Sequence, residues 1–167
     1  MPVRMVRLRC SPSFEWCSVI RAIALCQVGN VDEALATIEE IDVDDFPFGR
    51  SARALVRALV GDTSGALEDA DTVEFISGAS YFDVALARVG AVLAAGQTDG
   101  SVPGEHCRRV EALTSIATSA GDAVFVGIAR QLAHRCDDAS ADAVPPDMSL
   151  PALHEGWMRI VDAVPAA

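Results

Sequence analysis

The sequence predicts an all-α protein built from antiparallel helical hairpins, and three observations carry that expectation. Apolar residues recur at intervals of three and four along most of the chain, and strict alternation is almost absent. The 167 residues are 51% hydrophobic but only 5% aromatic, with alanine leading the apolar set; alanine has the highest helix propensity, and its small side chain lets two helices approach closely. Glycines at 29, 61 and 96 punctuate the pattern at spacings of 32 and 35 residues, each at the end of a helical segment.

Each element follows from local chemistry. The first helix runs over about 12–28 through Phe14, Val19, Ile20, Ile23, Ala24 and Cys26, with Ser11 as N-cap and Pro12 at the first helical position. Gly29 ends it, and Asn30 with Glu33 forms a capping pair for a second helix through Ala34, Leu35, Ile38 and Ile41. The polar, proline-containing stretch 42–49 reads as a loop that closes this pair. Further helices are predicted at about 50–60, 63–76, 81–95, 105–118, 122–136 and 150–161. Short turns at Gly61-Asp62 and Gly121-Asp122 allow only antiparallel neighbours. Domain organisation follows: a helical array over 1–136, an acidic, proline-bearing linker over 137–148, and an amphipathic helix with a tail over 149–167.

The glycine spacings bracket the period of about 34 residues typical of tetratricopeptide arrays. Gly29-Asn30-Val31-Asp32-Glu33-Ala34-Leu35 resembles the Gly-Asp-Tyr-Asp-Glu-Ala-Ile core of the tetratricopeptide family, and Gly61-Asp62-Thr63-Ser64-Gly65-Ala66-Leu67 keeps its glycine, its turn acid and its small-then-apolar pair. The third unit departs from the pattern, with Ser101 and Val102 in place of Ala and Leu and with Pro103-Gly104 delaying its second helix. The resemblance covers about 11–136 and implies a short right-handed solenoid that ends in a capping helix. The alanine-rich texture is also similar to the helical tails of actinobacterial regulators that carry a cyclase or ATPase domain upstream. That likeness implies a sensor-arm module whose enzyme lies elsewhere.

Composition excludes several function classes. With 13 Lys+Arg against 24 Asp+Glu the formal net charge is −11, which disfavours nucleic acid and anionic membrane surfaces, because both require a basic face. All the Lys+Arg positions are arginine, so neither a lysine Schiff base nor a phosphate-loop lysine is available. No window holds about 18 uncharged apolar residues, and the stretch after Arg9 is too polar for a secretory signal. Five cysteines without CxxC spacing (Cys10, Cys17, Cys26, Cys107, Cys136) read as reduced thiols, which makes a cytoplasmic location the expectation.

Two constellations qualify as candidate binding features. Arg21, Arg53 and Arg88 each stand eight residues before one of the three glycines, and Arg50 and Arg57 flank Arg53 on one helical side. Such a ladder can hold carboxylates bidentately. Alternatively, each arginine pairs with an acid of its own hairpin, the reading favoured in so acidic a chain. Tetratricopeptide geometry would place Trp16, Val19, Ile23, Phe48, Leu55, Leu59 and Leu86 on an apolar inner face. A partner helix could occupy that face, but the stripe Leu150, Leu153, Trp157, Ile160 and Val161 is the nearer cover, as a final capping helix.

His106, Cys107, His134 and Cys136 form the one metal-like set, since a tight turn brings the start of one helix beside the end of the next. His-Cys adjacency on helices strains tetrahedral geometry and buried cysteine is usually a small hydrophobe, so zinc is not expected, and a Cys107–Cys136 disulfide is expected no more than zinc. Asp42, Asp44 and Asp45 lack the glycine and the bidentate glutamate of a calcium loop. No nucleophile elbow, phosphate loop or metalloprotease helix is present, and no cofactor is expected. The functional expectation is a non-catalytic interaction or regulatory module that captures a protein or peptide partner. Trp16, Ile23, Phe48, Leu55 and Leu59 would supply apolar contact, and Arg21, Arg53, Arg57 and Arg88 would fix register. A helical enzyme or small-ligand sensor with a pocket under the last helix, acids such as Glu33, Glu40, Asp69 and Glu74 lining its core, is one alternative. Self-association as a homodimer is the other.

Overall fold

A computed structural model describes residues 12–97, 104–134, 136 and 152–162. Among them stand eight helices: α1 Pro12–Gln27, α2 Val31–Glu39, α3 Pro47–Leu59, α4 Thr63–Phe75, α5 Tyr81–Gly96, α6 Gly104–Ala120, α7 Ala123–Ala133 and α8 Ala152–Asp162. The linker and both chain ends, with Leu150, lie outside the described residues. No described helix is long and apolar enough to cross a membrane.

Two local expectations are corrected. Helix α3 begins at Pro47, not near Arg50, because proline suits the first helical position, where its missing N–H is no loss. Asn30 stands at the N-cap of α2 but its side chain makes no capping bond; its Nδ2 donates instead to Glu33 Oε2 at 2.7 Å. Gly96 ends α5 as expected, though without a left-handed turn, since Gln97 follows in the right-handed region, whereas Gly29 and Gly61 turn their helices with φ of 82° and 84°.

The packing has a regular order. α1 packs on α2 and α3, α3 on α4 and α5, and α5 on α6 and α7, while α2 leans on α3, α4 on α5 and α6 on α7. α8 then packs on both α7 and α1, so the last helix touches the first. At the centre lies α5, buried without interruption from Val89 to Gly96, as befits a helix that is apolar on every side. Leu55 and Val56 of α3, Leu86 and Leu93 of α5, Leu113 of α6, and Ile128 and Leu132 of α7 are fully buried in one core.

The closest approach of α3 and α5 is at Gly90. A Cβ there would sit 2.9 Å from both the Ala54 carbonyl carbon and the Leu55 amide nitrogen. Backbone atoms cannot swing aside as a side-chain end does. Gly90→Ala should therefore cost about 1–3 kcal/mol from overpacking, outweighing the roughly 1 kcal/mol of helix propensity that alanine contributes. Urea unfolding of the variant checks this, and a gain in stability would mean that the two helices separate at no cost.

Candidate aromatic face

Helix starts determine where the aromatic side chains stand. Pro47 opens α3 one residue before Phe48. At α5 a capping box joins Ser80 and Asp83, whose Oδ2 accepts from the Ser80 amide at 2.8 Å while the Asp83 amide donates to Ser80 Oγ at 3.2 Å. This places Tyr81 and Phe82 in the first turn. At α7, Asp122 Oδ1 accepts from the Val124 and Phe125 amides at 3.0 and 3.1 Å, placing Phe125 in the first turn as well. Each of α1, α3, α5 and α7 thus carries an aromatic residue near its N-terminus.

Those rings form one unbroken run across the protein. Trp16 lies 4.7 Å from Phe48 and 5.6 Å from Phe46, Phe48 lies 5.6 Å from Phe82, and Phe82 lies 5.4 Å from Phe125. Trp157 of α8 completes the series 5.9 Å from Phe125. These centroid separations are the ones at which tilted and edge-to-face pairs are favourable. Trp16 remains 49% exposed and Phe82 37% exposed, whereas Phe48, Phe125 and Trp157 are buried. α8 is seated at one end of the run, with Ile160 and Val161 also buried and Gly156 closely against the Gln27 side chain of α1. The expected cover by the last helix is therefore present in part of the face; the side chain of Leu153 lies outside the described residues.

The expected contact residues divide by burial. Ile23, Phe48 and Leu55 belong to the core, together with Val19 and Leu86, and Leu59 packs against it half-buried. The buried ones present almost no surface at the face. Of that set only Trp16 is exposed, alongside Phe14 and Ile20 of the same helix.

The arginine ladder is taken up by acids. Asp69 of α4, 1% exposed, accepts from Arg53 Nε at 2.8 Å, Arg53 Nη2 at 2.7 Å and Arg57 Nη1 at 2.9 Å, with Arg50 Nη1 at 3.4 Å. Arg50 also donates to Asp44 at 3.0 Å, and Arg57 lies 3.6 Å from Asp62. The hydrogen bonds to Asp69 raise the Arg53 pKa further above its ordinary value against the opposing effect of burial. Arg21 pairs with Glu33 across the first hairpin. Arg88 lies 3.5 Å from Glu74 of the preceding hairpin, and Arg109 of α6 pairs with Asp71. These guanidiniums join neighbouring helices, as the own-hairpin reading expects for Arg21, Arg53 and Arg57; Arg88 reaches one hairpin back.

The metal-like set separates into different roles. Cys107 and Cys136 are joined in a disulfide with Cα atoms 5.8 Å apart, which corrects the expectation of unpaired thiols. The α6–α7 turn brings the two positions together within the usual 4.4–6.8 Å range for a bridge. His106 is buried with Nε2 3.3 Å from Glu105 Oε1, and its pKa is lowered by burial and then by the Arg109 charge. His134 is the exposed C-cap of α7. Among the described residues no group of three or more His, Cys, Asp or Glu is arranged to hold a metal ion.

Sequence reasoning missed Phe82 and Phe125, and it counted Asp69 only among dispersed acids. A usable signal for the first was present: Trp16, Phe48 and Phe82 recur at 32 and 34 residues, close to the 32 and 35 of the glycines. No protein-family model, curated protein or solved structure matches this chain.

Proposed function

We propose that the chain is a tetratricopeptide-like stack acting as a non-catalytic interaction module, which captures a partner helix or peptide on its aromatic face. The observation that carries this reading is the ring series from Trp16 through Phe48 and Phe82 to Phe125, half-exposed at Trp16 and Phe82 and only partly covered by α8. Half-exposed aromatic rings in a rigid setting suit recognition, since their large apolar area is presented with little entropy left to lose. The packing order, in which each odd helix meets the next odd helix, is the order a hairpin stack requires. In this reading Trp16 and Phe82 touch the partner, the buried Ile23, Phe48 and Leu55 give the face its rigidity, and Arg21, Arg53, Arg57 and Arg88 brace the helices behind it.

Affinity capture from the host lysate tests the reading, with the parent chain beside a Trp16→Glu, Phe82→Glu double variant. A protein retained by the parent and lost by the folded variant is the expected result. Identical retention by both would refute a role for this face. Exposed Phe14 and Ile20 of α1, with Val28 just past its end, favour self-association as a second reading, and sedimentation of the parent chain across a concentration series decides it.

A further inference from the structure

Four of the five cysteines lie in described positions, and their settings differ. Cys26 is buried, and burial pushes its thiol up to about 12, so it is inert at neutral pH. Cys17 is exposed and unbridged. Cys107 is half-buried in the opening of α6, four residues into the helix, and its bridge partner Cys136 is buried three residues beyond the end of α7. The bridge is therefore accessible mainly from the Cys107 side.

The bridge is not what brings these helices together. The Gly121-Asp122 turn already makes α6 and α7 antiparallel, and Val110, Leu113 and Ala117 share a core with Phe125, Ile128, Ala129 and Leu132. A domain of this size also has enough core to fold without a covalent staple. The hairpin can thus persist with the bridge open, which is the condition for a bridge that cycles in the folded state.

We propose that Cys107–Cys136 is a reversible thiol-exchange site, entered at Cys107 by a small thiol or dithiol while the α6–α7 hairpin stays folded. A thiolate attacks the Cys107 sulfur, the Cys107–Cys136 bond breaks, and the electron pair leaves on Cys136, which takes a proton from water. A second thiol then attacks the reductant's sulfur in the mixed disulfide and releases Cys107 as thiolate. Two protein thiols are formed, and two reductant thiols are oxidised to one disulfide.

The test uses the full chain without denaturant. Protein is incubated with dithiothreitol or with reduced and oxidised glutathione, quenched with iodoacetamide and mapped by mass spectrometry, while far-UV circular dichroism reports the fold. Cys107 and Cys136 should become alkylated at a rate within tenfold of that in urea, with helicity retained. Glutathione disulfide should restore the bridge, and trapped glutathione should be found on Cys107. Cys17 labels in both states and Cys26 in neither, which verifies that the chain stays folded. Opening only when urea unfolds the protein, failure to re-form while folded, or glutathione trapped on Cys136 instead would each overturn the proposal. No variant is needed, so a folding defect cannot obscure the result.

Discussion

Replacing Asp69 with asparagine is expected to cost about 3–5 kcal/mol, the loss typical when one partner of a buried ion pair is removed. The carboxylate is 1% exposed and receives Arg53 in a two-pronged bond and Arg57 in a single one, with Arg50 at longer range. Asparagine keeps the shape but turns an N–H donor towards guanidiniums that are themselves donors. The three arginines do not suffer equally. Arg50 retains Asp44 and Arg57 retains Asp62, both at more exposed positions, whereas the hydrogen bonds that Arg53 makes are both to Asp69. Arg53 would remain charged, because a guanidinium does not lose its proton at neutral pH even without its partner. Urea unfolding with an unchanged slope is the readout. A loss below about 1 kcal/mol would place the cluster with exposed ion pairs and remove its role in joining α3 to α4. Adding Arg53→Met to Asp69→Asn should recover part of the loss, since the uncompensated charge then disappears.

The helices were legible in the sequence because their stop and start chemistry is local. Gly29 and Gly61 end helices with positive φ, Asp62 caps α4 through the Gly65 amide at 3.0 Å, and all eight elements stand within a few residues of their expected places. What depends on a partner distant in sequence was harder to read. Pro47 looks like loop until the chain beyond it is known to be helical. Cys107 and Cys136 were correctly brought together by the turn, yet an odd cysteine count argued for free thiols. The cytoplasmic expectation leaned on those unpaired cysteines and loses that support. Arg53 and Arg57 carry no mark of the buried carboxylate sixteen and twelve residues ahead that takes up both. Phe125 stands 43 residues after Phe82, off the repeat period because 98–103 intervene before α6, so its place in the ring series appears only once α7 packs on α5.

Trp157→Ala should release α8. The side chain is 5% exposed and rests on Phe125, and truncating a buried tryptophan costs about 3–5 kcal/mol. Helix α8 has 11 residues, fewer than the roughly 12–15 at which an isolated helix becomes even marginal in water. Undocking and unwinding are therefore one event, and the loss of stability is limited to what holds α8 in place. Leu55, Leu86 and Leu113 share one buried cluster with Trp157, but α3 and α5 pack on each other and α8 packs on α1 and α7, so their burial is expected to outlast that seat. Hydrogen exchange distinguishes the two cases. In the variant, amides of α8 should exchange at nearly unprotected rates while those of α3 and α5 keep their protection, and far-UV circular dichroism should fall by about one short helix. Trp16, then the sole tryptophan, reports the face by fluorescence, and a partner for the aromatic run should bind the variant more tightly wherever α8 competes with it. Uniform loss of protection through α3 and α5 would show instead that α8 is part of one cooperative core, and an interaction that requires its displacement would be ruled out.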